Sequence, residues 1–346
     1  MNVPIIQGGM GVGVSGKKLA AAVAKKGGMG VISSVNLGYA DPEFEMNPKA
    51  ANIKALKEAI TYAKEESEGR GIVAVNIMTA VSFYKDTCKA AVEAGADAII
   101  SGAGLPLNLP EFVKGSNTLF APIVSGAKAA KVLCKHYSKK YDVTPDFIVI
   151  EGHKAGGHLG FSAEDAVSLE DTRLEEILAE VLEVIAPYEK QYGVNIPVFV
   201  AGGISDGKQI AHYMECGAFG AQMATRFIAT HECDASEIFK RVIVDAKDED
   251  VVIIKSPVGM PARAVKTPFV ERILRGEAYP PKKCNGCLTG CPGGDKTPYC
   301  ISRALVAAVT GDYENGLFFC SKEVEKTNQI MSVSDLIDEI ERERNA

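Results

Sequence analysis

The chain has 346 residues, of which 47% are hydrophobic and 24% charged, so general disorder is excluded and one large or two ordinary domains are expected. Its net charge of −6 gives no electrostatic reason to expect nucleic acid or an anionic membrane as a partner. No apolar run approaches the roughly 20 residues of a membrane-spanning helix, and the first residues do not resemble a signal peptide. Nine cysteines, an odd number, argue against a secreted disulfide framework. A cytoplasmic protein is therefore predicted.

Short apolar runs rich in Val and Ile recur along the first two thirds of the chain, and most end in Gly, Ser or Asn. Each run is nearly continuous rather than alternating, which predicts a strand buried on both faces, as in a parallel sheet. The runs cover residues 4–9, 29–34, 72–78, 98–104, 119–125, 147–152, 197–203 and 220–227.

Segments with helical character lie between these runs, and Ser15 is expected to cap the first of them. They cover residues 15–26, 48–67, 82–94, 126–140, 173–187 and 206–216. Eight strands alternating with helices over about 225 residues favour a closed (β/α)8 TIM barrel, an α/β fold, over an open doubly wound sheet.

The alternation stops after residue 227. A helix is predicted over 235–246, a strand followed by a turn over 251–265, a helix over 301–310 and an amphipathic helix over 332–344. We therefore predict a barrel of residues 1–246 and a cysteine-containing C-terminal extension of residues 247–346 that packs on it.

Active sites of such barrels form at the C-terminal ends of the strands, and the loops after strands seven and eight often bind phosphate. Gly202 and Gly203 would allow a ligand to approach the backbone closely, while Ala224 and Thr225 offer N–H groups and a hydroxyl. His158, in the loop after strand six, is a candidate general base.

Several motifs occur together and in order: PIIQGGM, VNIM, EGHKAGGHLG, VAGGISDG, QMATRF and VGMPARAVKTPF. The ordered set resembles the nitronate monooxygenase family, formerly called 2-nitropropane dioxygenases. That family is close to the flavin-dependent enoyl-ACP reductases (enoyl-ACP reductase II) and includes some quinone reductases. The resemblance covers residues 4 to about 275 and implies a TIM barrel that holds FMN non-covalently.

The resemblance also implies roles for individual residues. His158 would be the catalytic base, and the loops after strands seven and eight would hold the FMN phosphate. The residues implied to bind the cofactor are Gly8, Gly9, Met10, Asn76, Glu151, Gly156, Gly157, Gly202, Gly203, Ala224 and Thr225. Two departures are visible: Ala224 stands where the family usually has Gly, which is tolerable if its φ is negative, and His153 stands where an acidic or small residue is usual.

Three functions remain open at this point. The first is oxidation of alkyl nitronates, with oxygen reoxidising the flavin. The second is an NAD(P)H-dependent FMN reductase acting on an enoyl thioester or a quinone, and the third is a phosphate-binding barrel without flavin. Each has a small molecule as its partner, and no motif specifies whether the chain forms a homodimer.

Four cysteines lie close together in a Gly- and Pro-rich stretch: Cys284, Cys287, Cys291 and Cys300, with the spacing C-x2-C-x3-C-x8-C. Four thiolates at this spacing can bind a tetrahedral zinc or an iron–sulfur cluster. The spacing is similar to the one that binds a [4Fe–4S] cluster in some old-yellow-enzyme-type flavin reductases. Zinc and unligated thiols are the alternatives.

Overall fold

Parallel strands close into a barrel in the computed structural model, which describes residues 2–170 and 172–346. Consecutive strands pair in parallel around the barrel, and the last strand pairs with the first. The barrel strands are β1 (Ile5–Gln7), β2 (Met29–Ser33), β3 (Ile72–Asn76), β4 (Ala98–Ser101), β5 (Leu119–Val124), β6 (Ile148–Glu151), β8 (Val198–Ala201) and β9 (Gly220–Met223). Each of the eight predicted runs contains one of these strands, so the TIM barrel prediction is confirmed.

Helices pack around the outside of the barrel and connect its strands. They are α1 (Lys17–Lys25), α2 (Pro48–Glu66), α3 (Tyr84–Glu93), α4 (Leu109–Val113), α5 (Ala127–Tyr141), α6 (Asp165–Ser168), α7 (Arg173–Tyr192), α8 (Gly207–Glu215) and α9 (Thr225–Ile228). None of the helices in the described part of the chain is long and apolar enough to cross a membrane.

The barrel interior is filled by side chains of contrasting size. Small residues such as Ala74, Ala98 and Ala121 face the rings of Phe147 and Phe199, whose centroids are 5.7 Å apart. Mixing large and small side chains lets the narrow interior of a closed barrel be filled without voids. The barrel is thus a packed core, and the space for a ligand lies at its rim.

Residues after 246 form a hairpin, three further helices and three short 3-10 turns. The hairpin consists of β10 (Val251–Lys255) and β11 (Pro261–Val265), and β11 also pairs with β7 (Gly157–His158) in the loop after β6. The three helices are α11 (Pro268–Leu274), α12 (Ile301–Thr310) and α13 (Val333–Arg344), and the 3-10 turns are Asp248–Asp250, Gly294–Lys296 and Val324–Lys326. The helix α10 (Glu237–Asp245) lies just before them in the chain. The extension therefore contacts the barrel at the loop that carries His158; a domain boundary at residue 246 stays a prediction.

The predicted cap of the first helix is wrong. The hydroxyl of Ser15 accepts a hydrogen bond from the Met10 N–H (2.7 Å), and α1 begins at Lys17 after Gly16. The carboxylate of Asp234 instead accepts hydrogen bonds from the N–H groups of Gly16, Lys18 and Leu19. A carboxylate at the start of a helix satisfies its unpaired N–H groups, and here it comes from a distant part of the chain.

Other elements also differ from the predictions. The helices α4, α6, α9 and α11 were not foreseen, and α7 continues five residues past 187 with Pro187 inside it. Residues 251–265 form a strand, a turn and a second strand, rather than a strand and a turn alone. The second strand pairs with β7, and this contact between distant segments is invisible to a local pattern.

Candidate active site

A cavity of about 450 Å³ opens at the C-terminal ends of the barrel strands. That volume is within the range of sites for small molecules and cofactors. All twelve residues proposed for catalysis and cofactor binding line it: Gly8, Gly9, Met10, Asn76, Glu151, Gly156, Gly157, His158, Gly202, Gly203, Ala224 and Thr225. The structure therefore brings together residues that lie up to 217 positions apart in the sequence.

The C-terminal extension supplies a further wall of the cavity that sequence reasoning did not foresee. Met260, Phe319 and Ser321 are among its lining residues. The segment around residue 320 lies against the loop after β6 so closely that a Cβ at Gly156 would be 2.4 Å from the carbonyl carbon of Cys320. Only glycine permits that approach, so the second Gly of the EGHKAGG run was the one local signal of this contact.

His158 is held in the cavity wall by the extension. It lies on β7 opposite Ala262, its Nε2 is 2.8 Å from the hydroxyl oxygen of Ser256, and its ring stands edge-on to Phe319 with 5.5 Å between centroids. Burial lowers the pKa of His158 to about 4. The imidazole is therefore neutral at physiological pH, which is the protonation state that a general base requires.

His153 lies in the same loop, but its position differs from that of His158. Its side chain is buried, its ring packs against Phe161, and it is not part of the cavity wall. Its carbonyl oxygen accepts a hydrogen bond from the Arg263 guanidinium (2.9 Å). This arrangement places His158, rather than His153, for proton transfer to or from a ligand in the cavity.

Glu151 is a second titratable group in the cavity wall. Burial raises its pKa to about 7, and a weak hydrogen bond from the Gly160 N–H to its carboxylate (3.4 Å) partly opposes that effect. Since the carboxyl group is half protonated near neutral pH, it can either donate or accept a hydrogen bond toward a ligand. The site thus combines a neutral imidazole with a carboxyl group that changes charge near pH 7.

The ends of β8 and β9 meet at the corner of the cavity where the sequence predicts a phosphate site. Gly202 and Gly203 have φ of +100° and +87°, a conformation that glycine adopts without strain. The φ of Ala224 is −126°, so the methyl group that departs from the family pattern is tolerated. Thr225 accepts a hydrogen bond from the Ser321 N–H (2.9 Å) and keeps its own hydroxyl proton to donate.

The loop after β1 and the end of β3 approach each other closely at the cavity. A Cβ at Gly9 would be 2.3 Å from the Cβ of Asn76, and one at Gly8 would crowd the side chain of Gln222 at 3.2 Å. These glycines leave a space that side chains would otherwise fill. The residues present fit a flavin: a glycine-lined wall for a flat ring system, and a corner of N–H and hydroxyl donors for its phosphate.

The four cysteines lie beside this cavity, and Cys287 is part of its wall. Over residues 2–170 and 172–346, one group of three or more His, Cys, Asp or Glu side chains has its metal-binding atoms within 4.8 Å of one another. It consists of Glu175, His212 and Cys216. No three of the four cysteine sulfurs approach that closely. The Glu175 group lies on the outer helices α7 and α8, where Nε2 of His212 is 2.8 Å from Glu175.

Comparison with known proteins agrees with this geometry. The family model described as nitronate monooxygenase matches residues 1–343. A probable nitronate monooxygenase from Staphylococcus saprophyticus is 28% identical over 290 residues, covering 78% of this chain and 77% of that protein. The (3aS,4S,5R,7aS)-5-hydroxy-7a-methyl-1-oxo-octahydro-1H-indene-4-carboxyl-CoA dehydrogenase of Mycobacterium tuberculosis is 27% identical, and the alignment covers 79% of this chain and 66% of that enzyme.

Among solved structures, FabK from Thermotoga maritima superposes with a TM-score of 0.75 at 27% identity, covering 99% of this chain and 93% of FabK. The family match spans the barrel and the extension alike, and it decides against a phosphate-binding barrel without flavin. The chain belongs to the nitronate monooxygenase family, whose members are FMN-dependent oxidoreductases.

Proposed function

We propose that this enzyme oxidises alkyl nitronates, and that it also accepts the parent nitroalkanes because His158 can deprotonate them. The observation that carries the proposal is the neutral imidazole of His158 in the wall of the cavity, where burial lowers its pKa to about 4. A base that is already unprotonated can take a proton from a neutral carbon acid at physiological pH.

The chain's own residues would divide the work as follows. The imidazole of His158 takes the proton from the carbon next to the nitro group, and the electron pair of the broken C–H bond moves onto the nitro oxygens to give the nitronate. Gly202, Gly203, Ala224 and Thr225 would hold the FMN phosphate, with Gly9 and Asn76 beside the ring system. When bound, FMN would supply the two-electron oxidation of the substrate, with molecular oxygen as the final electron acceptor.

The apolar part of the wall would keep bulk water from the reacting groups. Phe319 from the extension and Met78 from the loop after β3 both line the cavity. Excluding water keeps His158 neutral, because the charged imidazolium is disfavoured where it cannot be solvated. The same residues set the width available to an alkyl chain.

The test compares His158→Gln with the parent enzyme on two forms of one substrate, a neutral nitroalkane and its pre-formed nitronate. We expect turnover of the nitroalkane to fall by about 100-fold or more, the usual range for removal of a general base, while the nitronate is still oxidised. Bound FMN, measured from its absorbance, should equal that of the parent. Equal losses on both substrates would overturn the role of His158 in deprotonation.

A second candidate is an NAD(P)H-dependent reductase of an enoyl thioester or a quinone. It is favoured by the 27% identity to FabK over 99% of the chain and by the carboxyl-CoA compound in the name of the Mycobacterium relative. Anaerobic addition of NADH or NADPH separates the two candidates. Rapid bleaching of the flavin bands by either donor supports the reductase, whereas bands that persist until a nitronate is added support nitronate oxidation.

We also propose a cytoplasmic location, on the ground that none of the nine cysteines forms a disulfide in the structure. Reduced thiols are typical of compartments in which glutathione or thioredoxin is active.

A further inference from the structure

The loop that contains Cys284, Cys287, Cys291 and Cys300, here called the cysteine loop (residues 284–300), is fixed to the barrel rim although it has almost no regular structure. The Ser82 N–H donates to the Cys287 carbonyl (3.1 Å) and the Thr289 N–H donates to the Ala80 carbonyl (2.9 Å). Backbone hydrogen bonds on both sides of Cys287 hold its position against the segment after β3. The loop is therefore a built part of the rim.

The thiols of the cysteine loop lie near one another. Cys300, Cys291 and Cys284 are each close enough to Cys287 to interact with it electrostatically, and Cys287 itself is half-buried. The four residues therefore form one group, and four cysteines are the usual ligand set of an iron–sulfur cluster.

The backbone of the cysteine loop folds back on itself. Gly286, Gly293 and Gly294 have φ of +59°, +66° and +52°, conformations that glycine adopts without strain. The Gly286 N–H donates to the sulfur of Cys284 (3.5 Å), and a Cβ at Gly293 would be 3.3 Å from that sulfur. Cys284 therefore lies against the residue two positions after Cys291.

The fourth cysteine occupies a favourable position for an anionic ligand. Cys300 is the N-cap of α12, a helix of ten residues (Ile301–Thr310). The unpaired N–H groups at a helix N-terminus favour a negatively charged group beside them. Three residues separate Cys287 from Cys291, which Pro292 follows, and the same C-x3-C-P pattern is part of the bacterial ferredoxin run.

The spacing of the sulfurs distinguishes between metals. Thiolates bound to one tetrahedral zinc at about 2.3 Å lie roughly 3.8 Å from one another. No three of these sulfurs lie within 4.8 Å of each other, as judged over residues 2–170 and 172–346. A cubane cluster places one thiolate on each of four different irons and therefore holds them further apart.

From these observations we infer that the cysteine loop ligates a [4Fe–4S] cluster through Cys284, Cys287, Cys291 and Cys300. Cys287 and Leu288 line the same cavity as His158, so the cluster would lie against the flavin site. In the reductase candidate it would take one electron at a time from a low-potential one-electron donor, such as a reduced viologen or ferredoxin-type protein, whereas in nitronate oxidation the substrate itself supplies the electrons of the flavin. Each transfer to the cavity oxidises the cluster again, and two of them deliver the two electrons that a flavin accepts.

The cluster is tested without turnover, so the result does not depend on which substrate the enzyme uses. The full chain is purified under anaerobic conditions, and iron, acid-labile sulfide, zinc and FMN are measured per chain. We expect about four iron and four sulfide, a broad absorbance beneath the flavin bands that is lost in air, and a paramagnetic signal after reduction by dithionite.

Variants separate the cysteine loop from other metal binding. Cys287→Ser and the more exposed Cys284→Ser should each lose more than half of the iron and sulfide while keeping FMN, which shows that the barrel is folded. Cys216→Ser is the matched control, because it removes a cysteine from the exposed Glu175 group and should leave the iron unchanged. About one zinc per chain, metal-free thiols in a protein that holds FMN, or iron lost equally from the control would each overturn the inference.

Discussion

His158 and Ser256 lie 98 positions apart in the sequence, yet Nε2 of the imidazole is 2.8 Å from Oγ of the serine. Ser256 is buried at the turn between β10 and β11, where its own N–H donates to the Met260 carbonyl (2.9 Å). The hairpin of the extension thus orients the ring that the loop after β6 carries. The extension therefore belongs to the working site as much as the barrel does.

Removing the serine hydroxyl should weaken proton abstraction without removing FMN. A hydrogen bond of this kind contributes about 1 kcal/mol, so Ser256→Ala should lower kcat/KM for a nitroalkane by about 3- to 10-fold. The pre-formed nitronate should be affected less. Ser67→Ala, which deletes an equally buried hydroxyl bonded to the Lys64 carbonyl, is the control for a general loss of stability. A similar decline in both variants would show that Ser256 has no special effect on His158.

The depressed pKa of His158 predicts how stability depends on pH. The folded protein holds this imidazole neutral down to about pH 4, whereas the unfolded chain protonates it near the ordinary pKa of 6.5. The contribution of His158 to the free energy of unfolding is therefore fully present above pH 6.5, and it is lost as the pH falls from there through 4. Urea unfolding at pH 7.5 and pH 5.0 should show a decrease that is smaller in His158→Gln by about 1 to 2 kcal/mol. An identical decrease in both proteins would contradict a buried, neutral His158.

Glu151 should have the opposite dependence. Its pKa is about 7 in the folded protein and 4.5 as a model carboxyl, so the folded form binds the additional proton. The contribution of Glu151 to the free energy of unfolding is fully present below pH 4.5, and it is lost as the pH rises from there through 7. In Glu151→Gln the melting temperature should therefore decline less between pH 5 and pH 8 than in the parent. Glu175→Gln, on the exposed surface, should follow the parent, and a parallel decline in all three would show that Glu151 ionises normally.

The barrel could be predicted from the sequence because its strands are buried on both faces. Continuous runs such as those ending at Asn76 and Glu151 then carry the signal within a few residues, and the loops that follow contain the polar groups of the site. The wall formed by Phe319 and the contact of Ser256 with His158 could not be predicted in this way. Their roles depend on contacts between segments far apart in the chain, which neither periodicity nor spacing encodes.

The same distinction explains the error at the first helix. Ser15 has the residue type of a helix cap and stands at the right place. Its hydroxyl is instead hydrogen-bonded to the Met10 N–H, and the carboxylate of Asp234 accepts from the Gly16 N–H at the start of α1. Local sequence gives the propensity, and the tertiary contact determines which oxygen caps the helix.

Arg263 should be required for the shape of the loop that carries His158. Its buried guanidinium donates to the carbonyls of His153 (2.9 Å), Ala155 and Ala166 (2.9 Å). Lysine cannot reach three such acceptors with a fixed planar fork, so Arg263→Lys should reduce the free energy of unfolding by about 2 to 3 kcal/mol. Arg275→Lys, at the surface beside Glu277, should change it by less than about 0.5 kcal/mol. Urea unfolding of both variants at pH 7.5 measures this difference, and equal stabilities would show that the loop does not depend on Arg263.

The phosphate corner can be tested with two glycines that share a positive φ but differ in their surroundings. Gly203 (φ +87°) lies in the cavity wall, and a Cβ there would be 2.7 Å from the Cβ of Lys154; Gly193 (φ +65°) ends α7, with nothing within 4 Å of a Cβ. Alanine at either position introduces backbone strain of about 1 kcal/mol. Only Gly203→Ala should also displace the backbone that faces the phosphate, raising the Kd for FMN by about 10-fold or more, which costs about 1.4 kcal/mol. Quenching of FMN fluorescence measures both constants, and similar Kd values for the two variants would show that strain alone, rather than the phosphate site, is affected.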